Sequence, residues 1–369
     1  MPVPGSGPGD GPAPGGGAGP GGAGAGPARR ARRRLTGSAL AAVGIGVLVL
    51  SIAIAITIGP ADLAVSDVFG IVGQHLGLGD AGVTRIRDGI VWDLRLPRTL
   101  LAAICGAGLA ICGAIMQSLL RNPLADPFVL GISSGASTGA VLVVVLGIGG
   151  GIVGLSGGAF IGAVVAFTVV LLLAAGAGST PDRVVLAGVA ATQLFSALTS
   201  FIVTSSADAE QTRGVLFWLL GSLGGAGWND VALCGAVCLV GLVVCLAVAP
   251  ALDAFAFGED AAASLGIPVR WIRLLLLVVT ALITATLVSA AGAIGFVGLV
   301  LPHAARAVVG PGHRVLLPTT ALIGAIFLVW VDTVARTVFD PQELPVGVVT
   351  ALVGVPAFAV ILYRRKGPA

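Results

Sequence analysis

Gly131-Ile132-Ser133-Ser134-Gly135 fits the G-x-S-x-G arrangement in which a serine on a sharp turn attacks an acyl group, and His303 and Asp332 supply the other residue types of a nucleophilic triad. That chemistry requires a strand running into the turn and a helix leaving it. Here both flanks read as helix, and a chain rich in Gly and Ser meets the pattern easily by chance. An intramembrane serine hydrolase with Ser133 as nucleophile is the remote alternative. Phosphate binding by a G-x-x-x-x-G-K-[ST] loop is excluded, because the sole lysine is Lys366, near the C-terminus. The five cysteines, Cys105, Cys112, Cys234, Cys238 and Cys245, lie inside apolar runs with no His or carboxylate at ligand spacing. They read as small buried hydrophobes, so no catalytic and no metal-binding residue is assigned.

The elements that would have to position any site are apolar. Hydrophobic residues make up 56% of the chain and charged ones 10%, and the mean hydropathy is +1.05. Such a composition has too little polar surface for a water-soluble globule of this length. Long alternating strands are lacking, and repeated apolar runs match the roughly twenty residues a helix needs to cross the hydrocarbon. The fold class is therefore all-α polytopic membrane protein. The runs are Ala39 to Ile58, Leu100 to Leu119, Phe128 to Leu146, Ile152 to Ala175, Val184 to Val203, Val231 to Ala249, Ile272 to Ala290, Ile294 to Val309, Leu316 to Ala335 and Leu344 to Tyr363. Ten spans put both termini on one side. Fourteen of the twenty basic residues fall on that side, which makes it the cytoplasm of a bacterial plasma membrane. Residues 1–34 read as a disordered Gly/Pro/Ala-rich cytoplasmic tail ending in the basic cluster Arg29 to Arg34, and residues 35–366 as the transmembrane domain.

Four features break the apolar pattern. Between spans six and seven, Gly258 suits an N-cap, Glu259 and Asp260 suit the positive end of a helix dipole, and Gly266 with Pro268 makes a stop. A short cytoplasmic helix results, either a plain connector or an element on which a cytoplasmic motor pushes. Arg95, Arg98 and Arg336 gather on the outer rim against the usual bias. They either snorkel, with an i,i+4 pair between Asp332 and Arg336, or dock an acidic outer partner. Span five carries Thr192, Gln193, Ser196, Thr199 and Ser200, a polar stripe that either bonds neighbouring helices or lines an aqueous path. Small residues such as Gly131, Gly135 and Gly139 recur four apart and allow close helix approach. No charge lies at the middle of a span, which disfavours a proton- or sodium-driven carrier and points to an external energy source.

In order along the chain, "RLPRTLLAAICGAGLAICGAIMQSLLRNPLADPFVLGISSGAS", "VVLAGVA", "FWLLGSL", "FGEDAAASLGI", "GAIGFVGLVLPHAAR", "GPGHRVLLP" and "ELPVGVVTALVGVPAF" resemble the FecCD-type permeases, membrane subunits of ATP-binding cassette importers for ferric siderophores, haem and cobalamin. The resemblance covers nearly everything after about Arg34. It implies ten helices per subunit, a dimer with a second permease copy or paralogue, cytoplasmic ATPase subunits that bind the ATP and Mg, and an extracytoplasmic substrate-binding protein. This chain would be a transport subunit with no ATPase site and no cofactor of its own. The coupling segment, 251–269, would meet the ATPase through Gly258, Glu259, Asp260, Ser264 and Leu265. Arg95, Arg98 and Arg336 would dock the binding protein, and Gln193, Ser196, Ser200 and Thr350 would line the path. A ferric siderophore is the first cargo, with cobalamin or haem as alternatives. Pro181 and Asp182 depart from the hydroxyl residues that the family often carries near its cytoplasmic gate.

Overall fold

A computed structural model describes residues 27–59, 63–79, 82–147, 154–177, 180–206, 208–339 and 342–364. The chain divides into a short unit, Met1–Leu40, and a large one, Ala41–Ala369; the packing that follows lies within the second. The helices in chain order are α1 (Pro27–Thr57), α2 (Val65–His75), α3 (Arg85–Gly89), α4 (Leu96–Leu119), α5 (Ile132–Leu146), α6 (Leu155–Ala177), α7 (Pro181–Ser206), α8 (Ala209–Leu219), α9 (Trp228–Ala247), α10 (Ala249–Phe255), α11 (Glu259–Ser264), α12 (Val269–Ala291), α13 (Val297–Val309), α14 (His313–Ala335) and α15 (Val346–Arg364). A π-helical turn, Ile90–Arg95, leads into α4, and a 3-10 turn, Pro127–Leu130, leads into α5. No strand occurs among the described residues.

Seven of these helices are long and apolar enough to cross a membrane, and three shorter apolar helices, Ile132–Val145, Val297–Val309 and Val346–Ile361, complete the ten expected runs. The expected tail lies outside the described residues up to residue 26. From Pro27 the chain is already in α1, so the basic cluster is helical, as its Ala, Arg and Leu content favours. The sequence reading also had no α2, α3 or α8. These short helices sit in the connections at one end of the bundle, where His75 stacks on Trp92 with ring centroids 3.9 Å apart. The Trp228 indole donates to the Trp92 carbonyl there, 3.1 Å away. The other end carries α10 and α11.

Helix α4 is the buried centre and packs on α9, α12, α13 and α14. Its small residues make that possible. A Cβ on Gly106 would collide with the carbonyl of Gly324 in α14, and one on Gly113 with the carbonyl of Gly298 in α13. The glycines spaced by four in α5 do the same against α6, where Gly135 and Gly139 meet Gly162 and Gly158. Without a hydrophobic force between helices in lipid, such backbone proximity supplies the dispersion contacts that hold them. Between α12 and α13 the chain runs extended, turning at Gly292 (φ 69°) and Phe296 (φ 67°). Gly221 lies against this segment, with the Ser222 amide donating to Ala291 and the Gly221 carbonyl accepting from Val346, both at 2.9 Å.

Gly106→Val is expected to overpack the α4–α14 contact, at a cost of roughly 1–3 kcal/mol or more. The check is a lowered Tm and loss of the monodisperse peak in detergent, whereas Gly46→Ala, which meets nothing within 4 Å, leaves both unchanged.

Candidate functional site

At the α2 end, α1 finishes with carbonyls that no further turn can satisfy. Two arginines take them. Arg95 Nη1 donates to Ile56 at 2.7 Å, Arg336 Nη1 donates to Ile58 at 2.8 Å, and Arg336 Nη2 donates to Ala55. Gly59 (φ 147°) lets the Arg95 guanidinium lie over the backbone where a Cβ would intrude. The third arginine, Arg98, lies side-on to Asp332, with Nε and Nη2 at 3.0 and 2.9 Å from Oδ1, while Nη1 donates to both Glu343 oxygens at 2.9 Å. Asp332 is 1% exposed, and the anticipated i,i+4 neighbour, Arg336 Nε, stands 3.8 Å from its Oδ2.

The three arginines gather at one rim, as expected, each paired with groups of the same chain. Arg95, Arg98 and Arg336 turn inward because carbonyls and carboxylates of the same chain need them. The charge this cluster presents to the outside is Glu343, whose side chain is 41% exposed.

At the opposite end, Gly258 (φ 107°) sets the entry to α11, and Gly266 (φ 76°) follows its end, as the sequence reading placed them. Glu259 pairs with Arg273 of α12 and so braces α11. Of the five expected contact residues, Asp260, Ser264 and Leu265 are exposed, and they are joined by Phe257, which is 82% exposed. Phe257 was missed in the sequence, although a large apolar residue beside a capping glycine in a polar connector was a usable signal. Beside α11 opens a cavity of about 610 Å³ lined by Ser118, Arg121, Asp253, Phe257, Arg306 and His313. Gln117 donates to the carbonyls of Gly298 and Leu299, each at 3.1 Å, and accepts from Arg306. His313, Asp253 and Ser118 also went unassigned, because they are far apart in sequence and "GPGHRVLLP" discloses only one of them.

The turn between α4 and α5 begins at Arg121 (φ 49°), and Asp126 caps the 3-10 turn by accepting from the Phe128 amide at 2.9 Å. Burial pushes the Asp126 carboxyl up to about 6, against the lowering effect of that amide.

Helix α7 divides its polar stripe between a neighbouring helix and the outer surface. Thr199 and Ser196 face α5, with Thr138 Oγ1 2.8 Å from Thr199 Oγ1 and Ser196 Oγ 3.4 Å from Ser134 Oγ. Gln193 and Ser200 face outward beside Leu194 and Phe201. Thr350 is a correction: it is fully buried and donates back to Gly347 at 2.9 Å, so it lines no open surface here. Pro181 and Asp182 form the first turn of α7, Asp182 exposed.

The serine hydrolase finds no support in this geometry. Gly131–Gly135 lies between a 3-10 turn and a helix, His303 Nδ1 lies 3.0 Å from the Leu299 carbonyl, and Asp332 is engaged by Arg98. The five cysteines are buried and unbridged.

An all-helical bundle with a buried charge cluster at one end and a short capped helix at the other defines a polytopic permease, and the relatives specify the kind: the membrane-spanning subunit of an ATP-binding cassette importer. The chain belongs to the FecCD transport family, whose model matches residues 47–364. It is 46% identical over 286 residues to the cobalamin import system permease protein BtuC of Halobacterium salinarum, covering 77% of this chain and 76% of that one. It is 42% identical over 280 residues to the vitamin B12 import system permease protein BtuC of Klebsiella pneumoniae, covering 75% and 83%. Among solved structures it resembles an ABC transporter described as metal-chelate type in an inward-facing conformation, with TM-score 0.78, 29% identity, and 89% and 99% of the two chains covered. This is a multi-pass transport subunit.

Replacing Arg98 by Met strands the Asp332 carboxylate and is expected to cost about 3–5 kcal/mol. The double replacement Arg98→Met with Asp332→Leu removes both charges and recovers most of the loss. Thermal unfolding of the purified variants in detergent gives the comparison.

Proposed function

We propose that the chain is the permease of a cobalamin importer, moving the corrinoid into the cytoplasm by alternating access. The observation that carries this reading is the likeness to permeases named for cobalamin and vitamin B12 import across three quarters of the chain. Cobalamin therefore replaces the ferric siderophore that the sequence alone put first. A ferric chelate is the second reading, favoured by the likeness to a metal-chelate type transporter.

Both termini and the α10–α11 end face the cytoplasm in this arrangement, following the excess of basic residues on that side. Separate ATPase subunits hydrolyse ATP and grip α11 through Asp260, Ser264 and Leu265, with Phe257 beside them, while Gly258 and Glu259 fix the helix in place. A substrate-binding protein delivers cargo to the end carrying Arg95, Arg98, Arg336 and Glu343. A second permease copy or paralogue completes the path, and Gln193 and Ser200 on the outward face of α7 are its wall residues. A wide wall of small and mildly polar groups suits a bulky chelate, so selectivity rests mainly with the binding protein.

The test is uptake of radiolabelled cyanocobalamin and of labelled ferric siderophores in cells lacking the gene and in cells with it restored. Cobalamin uptake is expected to disappear and return with the gene while iron uptake stays unchanged; the reverse pattern makes a ferric chelate the cargo. In the restored strain, Leu265→Asp with Asp260→Arg is expected to abolish ATP-driven uptake without lowering the amount of inserted protein.

A further inference from the structure

His313 opens α14 and is 3% exposed, yet its ring is held on both sides by polar groups from two other helices. Nδ1 lies 2.6 Å from Asp253 Oδ1, and Nε2 lies 2.7 Å from Ser118 Oγ. A carboxylate only accepts, so Nδ1 carries the hydrogen of the first contact. The same Asp253 oxygen accepts from the His313 backbone amide at 2.9 Å, placing a negative charge at the N-terminus of α14. Asp253 belongs to α10, the helix that runs directly into Gly258 and α11. Ser118 belongs to the last turn of α4. One side chain thus ties the α10–α11 segment to both members of the α4–α14 pair.

That pair is fixed at three levels. Arg98 meets Asp332 at the α2 end, Gly106 meets Gly324 midway, and Ser118 meets His313 at the α11 end. The three pairs step along the antiparallel helices by nearly equal intervals, 8 and 12 residues in α4 against 8 and 11 in α14. A contact with backbone against backbone and a buried ion pair at its far end has no slack in which one helix slides on the other. Displacing α10 at Asp253 therefore moves α4 and α14 together, and with them the Arg98–Asp332–Glu343 cluster.

We infer that His313 is a positioning residue that fastens the ATPase-contacting segment to a rigid α4–α14 strut, so that motion at α11 is delivered to the substrate-receiving end. The inference rests on the ATP-driven import proposed above. Its physical content is a side-chain linkage: without the imidazole, α10 keeps only the bond from Asp253 to the residue-313 backbone amide and loses the ring that joins Asp253 to Ser118.

The experiment uses the complete complex of permease, ATPase subunits and binding protein in proteoliposomes, with Mg-ATP and radiolabelled cyanocobalamin. ATP hydrolysis and uptake are measured together, and spin labels at Ala256→Cys, exposed between α10 and α11, and Val338→Cys report the separation of the two ends with and without ATP. Asp253→Ala, which removes both bonds from α10, is expected to assemble and hydrolyse ATP while uptake per ATP is lost and the label at residue 338 ceases to respond, and His313→Ala, which leaves the amide bond, is expected to lower uptake per ATP less. Asp253→Asn keeps an oxygen acceptor for both the ring and the amide, and is expected to retain coupling. Were the role only structural, the variants would lower the amount of complex without changing uptake per ATP, and that result overturns the inference. Assembled alanine variants that transport at the wild-type ratio overturn it too. A wild-type complex whose labels do not respond to ATP overturns the import reading and the inference with it. A response to ATP without cobalamin uptake overturns the cargo alone, and the label distances then decide the inference.

Discussion

Gly106 and Gly324 have no side chains, and because of that α4 and α14 approach until the carbonyl of one fills the place a Cβ of the other would occupy. Much else is arranged around this contact. Helix α4 becomes central enough for α9, α12 and α13 to pack on its remaining faces, and its last turn reaches the first residue of α14. Lipid provides no hydrophobic drive to bring helices together, so a bundle must find its cohesion in short approach and satisfied polar groups. The glycines provide the first and the ends of the helices provide the second.

The two ends solve the polar problem differently. At the α2 end, cations bury themselves against carbonyls and carboxylates: Arg95 and Arg336 take the carbonyls at the end of α1, and Arg98 bridges Asp332 and Glu343. A buried pair of this kind adds little net stability over an apolar equivalent, yet it fixes which helix end lies beside which. At the α11 end the groups are arranged around a cavity, with Asp253, His313 and Ser118 joined and Phe257 and Leu265 left open to solvent. One end is closed within the chain, and the other leaves large apolar groups open to solvent.

The ten apolar runs and the capped helix at Gly258 were legible in the sequence because both depend on local rules: window hydropathy for the first, glycine and acidic placement for the second. The small-residue spacing of α5 was equally plain. What the sequence concealed were relations between distant residues. Arg95 and Arg336 looked like outward charges because nothing local shows that α1 ends beside them. Thr350 looked like a wall residue, yet the fold buries it and its hydroxyl donates to Gly347. Asp253, His313 and Ser118 come from three separate motifs, and only the packing of α4 on α14 brings them to one point. The excursion containing α2 and α3 was missed because helices of such length are too short to register as spans.

The end of α1 carries a consequence for biosynthesis. Its Ala55 carbonyl accepts from Arg336, a residue 281 positions later in the chain. Arg95 can take the Ile56 carbonyl early, but the Ala55 and Ile58 carbonyls await Arg336 at the end of α14.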